Sequence, residues 1–174
     1  MPLAFTLPFA LAKSAIARAT LAALALGGMN TLLSDRIGET LGTSGWIEVA
    51  QARIDAFADC TGDHNRIHVD RAYAAAGPFG GTIAHGFLTL SLLARMAQDA
   101  LPDHLIERAL NYGVEHLRFV APVRSGVRVR GRFDLASVTP HAHDLQLVAV
   151  AVTVEIEGGD KPALVGTWIL AIPA

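Results

Sequence analysis

"HGFLTLSLLARMAQDAL", residues 85–101, is the stretch whose reading decides the fold. Phe87, Leu88, Leu90, Leu92, Leu93, Met96, Ala97 and Leu101 keep helical spacing and leave a single polar corner at Arg95, Gln98 and Asp99. A surface helix carries one apolar stripe, whereas a helix apolar on most sides belongs in the middle of a structure. Pro102 ends it, because proline lacks the N–H that would continue the ladder.

C-terminal to this helix the period changes to two. "VRVRGRFDLAS" (127–137) alternates Val127, Val129, Gly131, Phe133 and Leu135 with Arg128, Arg130, Arg132 and Asp134. "LQLVAVAVTVEI" (145–156) and "ALVGTWILAI" (163–172) are apolar on both faces and joined by the turn "EGGDKP". "ALNYGVEHLRFVAPV" (109–123) is a further strand candidate. On the N-terminal side, Trp46–Val49 reads as a short strand. Ile54, Phe57, Ala58 and Thr61 predict a helix that Gly62 terminates. "RIGETLGTSGW" (36–46) reads as a link, and residues 62–84 show no sustained period. Antiparallel strands burying one face around an apolar helix make a two-layer α+β domain, expected over residues 36–174.

Composition narrows the function. In 174 residues, 52% are hydrophobic and 17% charged, with a net charge of −2, so neither a disordered nor a nucleic-acid-binding chain is indicated. Cys60 is the only cysteine, which leaves no intramolecular disulfide and no sign of an oxidising compartment. A cytoplasmic location is the expectation. At the end of a helix with apolar neighbours, Cys60 reads as a small buried side chain. Residues 1–35 form an N-terminal extension, Ala/Leu-rich, with an apolar run from Ala19 to Gly28 too short to span a bilayer. Three readings of it stay open: a secretory signal, an amphipathic surface helix, and a start placed upstream of a true beginning near Met29.

The proton-handling residues gather in "TGDHNRIHVD" (61–70). His64 and His68 with Asp63 would suit a metal only on a helix, which Gly62 opposes, and His85, His104, His116, His141 and His143 are scattered in sequence. No metal is therefore expected. Asp63 and His68 can instead converge on one water as an acid/base pair, with Asn65 orienting them; turn polarity explains the same residues without chemistry. Gly86 favours the first reading. It stands at the first turn of the apolar helix, where unpaired N–H groups carry positive partial charge and a ligand oxygen can approach closely. Such a site polarises a carbonyl as negative charge develops on it. An acid/base pair beside it suits reversible addition of water to an α,β-unsaturated thioester.

"FADCTGDHNRIHVD" followed by "GPFGGTIAHGFLTLSLL" closely resembles the MaoC-like dehydratases, or (R)-specific enoyl-CoA hydratases, and most of all the nodulation-protein-N-like subgroup. The resemblance spans Trp46 to Leu170 in element order and is specific between Phe57 and Leu93. It implies a hot-dog fold, a central apolar helix wrapped by an antiparallel β-sheet, in a homodimer without a cofactor. It implies Asp63 and His68 as the catalytic pair and Asn65 as the orienting group. Gly86 would hold the thioester oxygen, and Ser91 would join the polar network. Many members carry proline where this chain has Arg66. That arginine is a candidate for a substrate phosphate or carboxylate, although a solvated role explains it equally, and the same holds for Arg128, Arg130 and Arg132. Phe87, with Leu88 and Leu90, is a candidate acyl-channel wall, as well as ordinary packing. The expected reaction is hydration of trans-2-enoyl thioesters, on coenzyme A or an acyl carrier, to (R)-3-hydroxyacyl thioesters. The rivals are a hot-dog thioesterase, which would not need His68, and a non-catalytic acyl-thioester-binding protein. No nucleic acid and no membrane span are expected.

Overall fold

A computed structural model of the chain describes residues 33–173. The extension expected over residues 1–35 therefore lies, but for its last three residues, outside the described part. In chain order the elements are β1 (Thr40–Thr43), β2 (Ile47–Glu48), α1 (Gln51–Thr61), α2 (Arg66–Val69), α3 (Arg71–Ala75) and α4 (Gly86–Ala100). Then follow α5 (Asp103–Ile106), β3 (Leu110–Phe119), β4 (Arg128–His141), β5 (Leu145–Ile156) and β6 (Leu164–Pro173). The strands form one sheet in the order β1-β4-β5-β6-β3, with β2 also on β4. Every pairing is antiparallel.

The sheet wraps α4, which is the hot-dog arrangement. Leu88, Leu92, Leu93, Met96 and Ala97 of the helix are buried against Val129, Phe133 and Leu135 of β4 and Val148, Val150 and Val152 of β5. The two-residue period of β4 is realised as read: Val129, Gly131, Phe133 and Leu135 point inward. Its outward arginines are neutralised along the sheet, Arg128 by Glu157, Arg130 by Glu155 at 2.7 Å and Arg132 by Asp134 at 2.9 Å. Arg130 also lies 4.5 Å over the Trp46 ring. All three cations are thus paired with carboxylates on the outward face of β4.

Three expectations need correction. The link at 36–46 contains β1, which joins the sheet edge beside β4 through a bulge between Thr40 and Gly42. Gly42 sits in that strand because a Cβ there would collide with the Ala100 carbonyl at the end of α4. The aperiodic stretch 62–84 holds two short helices, four and five residues long, below the length at which a period can be read. Cys60 is exposed, because the residues that α1 sends to the core are Ile54 and Ala58, buried, and Phe57, packed partly buried against that core.

One side of α4 is left open. Phe87 is 67% exposed at its start, and the neighbouring edge strand β3 presents Leu110, Tyr112 and Val114 to solvent. No helix among the described residues is long and apolar enough to cross a membrane.

Candidate active site

The loop after α1 is built from its own polar side chains. Gly62 donates its N–H to the Ala58 carbonyl and ends α1. The Asp63 carboxylate accepts the Asn65 N–H at 3.3 Å, and the Asn65 side-chain oxygen accepts the Ile67 N–H at 3.3 Å, capping α2. Asn65 is thus bonded to Asp63 through its main chain and to the helix bearing His68 through its side chain. Asp70 then caps α3 by accepting the Tyr73 N–H at 2.9 Å.

His68 is buried, and its Nδ1 lies 2.7 Å from the Ile83 carbonyl oxygen. A carbonyl only accepts, so Nδ1 carries the hydrogen and Nε2 keeps its lone pair. Burial pushes the His68 imidazole below the ordinary histidine value; the bond to Ile83 opposes this shift and the neighbouring His85 adds to it. At neutral pH His68 is therefore an uncharged base with a fixed tautomer.

His85, scattered from the others in sequence, joins them in space. It is the N-cap residue of α4, 2% exposed, and stacks on His68 with ring centroids 3.8 Å apart. Its Nε2–H donates to the Asp63 main-chain carbonyl at 2.9 Å, while its buried Nδ1 has no partner among the described residues. A carboxylate oxygen of Asp63 and one ring nitrogen each of His68 and His85 lie within 4.8 Å of one another. A shared metal ion would have to lie in the plane of both imidazoles. Rings stacked at 28° hold those planes apart, so the cluster suits proton handling better than coordination. The sequence signal for His85 is a lone polar residue at the head of an otherwise apolar helix. Asp63 sits on the exposed lip of the site and not in a closed apolar cleft.

Beside the cluster a cavity of about 240 Å³ is lined by His68, Ile83, Gly86, Thr89, Phe119 and Pro122, among others. Gly86, the first residue of α4, lines it where the helix N-terminus is electropositive. The Phe119 ring covers Gly86 so closely that an added Cβ would stand 3.1 Å from three ring carbons.

The remaining candidates lie apart. Arg66 is drawn to Asp70, at 2.8 Å, and stacks 4.2 Å from the Tyr73 ring centre, away from the cavity wall. The Tyr73 N–H and then Arg66 hold the Asp70 carboxyl below the usual range. His64 is exposed and paired with Asp59 at 3.0 Å. Ser91 is exposed and donates to the Phe87 carbonyl at 2.8 Å. It lines a second, larger cavity of about 310 Å³ between α4 and β3, with Leu90, Ala94, Tyr112, Val114 and Trp168. That cavity holds neither carboxylate nor imidazole. Phe87 meets Phe119 edge-on at 5.9 Å, at the margin of the first cavity.

Known proteins share this architecture and sequence. A family described as "MaoC like domain" matches residues 33–158. Nodulation protein N of Rhizobium meliloti (strain 1021) is 49% identical over 139 residues, 79% of this chain and 86% of the relative. The 3-hydroxyacyl-thioester dehydratase Z of Mycobacterium tuberculosis is 45% identical over 138 residues, 79% of this chain and 91% of the relative. Among solved structures, the (R)-hydratase from A. caviae involved in PHA biosynthesis is similar at a TM-score of 0.64 and 25% identity. That likeness covers 79% of this chain and 96% of the A. caviae chain.

Proposed function

The chain belongs to the MaoC-like domain family, and from that premise we propose that it adds water reversibly to trans-2-enoyl thioesters of coenzyme A or an acyl carrier, giving (R)-3-hydroxyacyl thioesters. The observation that carries this reading is the meeting of Asp63 and His68 beside a cavity lined by His68 and Gly86. In the hydration direction one water lies between the Asp63 carboxylate and His68 Nε2. The pair takes one proton from it while the oxygen bonds to carbon 3. Electron density moves from the double bond to the thioester oxygen, which the N-terminus of α4 at Gly86 stabilises. The pair then returns the proton to carbon 2, so that one water supplies both added groups. Neutral His68 suits the first transfer. The dehydratase and hydratase names of its relatives support the same chemistry.

The reading includes a homodimer. The apolar edge of β3 and the open flank of α4 at Phe87 are what a second copy would cover, extending the sheet edge to edge and closing the α4–β3 cavity. Crotonyl-CoA tests the activity directly. Hydration removes the enoyl absorbance without releasing thiol. Release of free thiol would mean a thioesterase, and binding with neither signal would mean a carrier protein.

A further inference from the structure

We propose that Gln51, at the start of α1, is a positioning residue that fixes His68 from both sides, an inference that rests on the hydratase reading of His68. Gln51 engages both N–H groups and the oxygen of its amide. Its Nε2 donates to the His68 main-chain carbonyl at 2.8 Å and to Asp55 Oδ1 at 2.8 Å. Its Oε1 accepts the Thr82 hydroxyl at 2.5 Å. The two acceptors on one side and the hydroxyl donor on the other leave no ambiguity in how the amide is turned.

His68 needs such support because α2 is only four residues long and its carbonyls have no next turn to accept from. Outside groups supply the missing donors: Ile83 N–H bonds the Ile67 carbonyl at 3.1 Å, and Gln51 bonds the His68 carbonyl. Thr82 is buried and adjoins Ile83, the residue whose carbonyl holds His68 Nδ1–H. Through Thr82, Gln51 therefore also anchors the segment that selects the imidazole tautomer. One side chain on α1 sets the backbone of His68 directly and the partner of its ring at one remove. Gln51 touches neither cavity nor substrate position, so its effect must pass through His68.

Gln51→Leu removes all three bonds at nearly constant volume, and Thr82→Val removes only the hydroxyl. Each should lower kcat for crotonyl-CoA hydration about ten- to hundredfold, since a catalytic group displaced by a fraction of an ångström loses rate on that scale. KM should stay within about twofold because no substrate contact is lost. Nitrogen-15 NMR of histidine in the resting protein should show His68 purely as the Nδ1–H tautomer in the wild type and a mixture of tautomers in both variants. Thr82→Ser should restore the wild-type spectrum and rate. A folded Gln51→Leu protein with an unchanged His68 spectrum overturns the proposal, and Thr82→Val decides it in the same way if Gln51→Leu does not fold. A wild-type protein that fails to hydrate crotonyl-CoA sinks the hydratase reading instead, while the tautomer spectrum still tests Gln51.

Discussion

Gly86→Ala separates the chemistry of the α4 N-terminus from its packing. The added methyl would stand 3.1 Å from Cδ1, Cδ2 and Cε1 of Phe119, a few tenths of an ångström inside ordinary contact. Overpacking of this kind costs about 1–3 kcal/mol in a rigid core. Phe119 is 47% exposed, however, and can tilt toward solvent, which puts the cost near the lower limit. Against it stands the gain of alanine over glycine in a helix, about 0.5–1 kcal/mol in the interior and less in the first turn. The two nearly cancel, so the melting temperature should move by no more than about 2–4 °C. The rate has no such compensation. The methyl and the displaced Phe119 ring occupy the space through which a thioester oxygen reaches the Gly86 N–H, and loss of one oxyanion donor costs about 10²–10³ in kcat. The assay is crotonyl-CoA hydration beside a thermal melt of the same preparation. An unchanged kcat in a folded Gly86→Ala protein would refute the placement of the thioester oxygen at this helix.

Other consequences are more direct. Because burial holds His68 below the ordinary value near 6.5, kcat/KM should be flat at neutral pH and fall only as pH drops below 6.5 through the folded pKa, as a pH–rate profile would show. The same shift makes the unfolded chain bind more protons than the folded one in that window, so stability should decline as pH falls there, by at most about 1.4 kcal/mol per pH unit, and His68→Gln should flatten the decline in denaturant titrations. Phe133, fully buried between α4 and the sheet, should cost about 3–5 kcal/mol on truncation to alanine, read as a lowered denaturation midpoint. Val114→Glu, on the apolar edge of β3, should shift the protein from dimer to monomer in light scattering while its far-UV spectrum stays unchanged.

What the sequence made legible follows the reach of each signal. The helix at 85–101 and the strands after it declare themselves because their periods persist over ten residues or more, and burial enforces those periods. β1 was hidden by its glycine, serine and threonine content. Its strand character comes from pairing with β4, and its Gly42 from the close approach of α4, neither of which is local. Helices α2 and α3 are too short to show a period and are held by caps at Asn65 and Asp70. Within the candidate site, Asp63, Asn65 and His68 stand out in the sequence because they are neighbours in one polar segment. His85 and the Gln51–Thr82 bond do not, since both depend on contacts between segments 17 to 31 residues apart. Cys60 shows the opposite failure: an apolar neighbourhood in sequence became an exposed turn of α1. Ser91 occupies a position the resemblance points to and Arg66 the place of its usual proline, yet their side chains bond to Phe87 and Asp70 outside the His68 cavity.

The central claim is that Asp63 and His68 together move the proton of one water across an enoyl thioester. The initial rate of crotonyl-CoA hydration by Asp63→Asn, measured beside the wild type as loss of enoyl absorbance, tests it most directly. The amide keeps the shape of the carboxylate and can still accept the Asn65 N–H, so the loop should survive while proton transfer does not. A fall of about 10²–10⁴ in turnover with unchanged folding is the predicted result. A rate close to wild type would contradict the account.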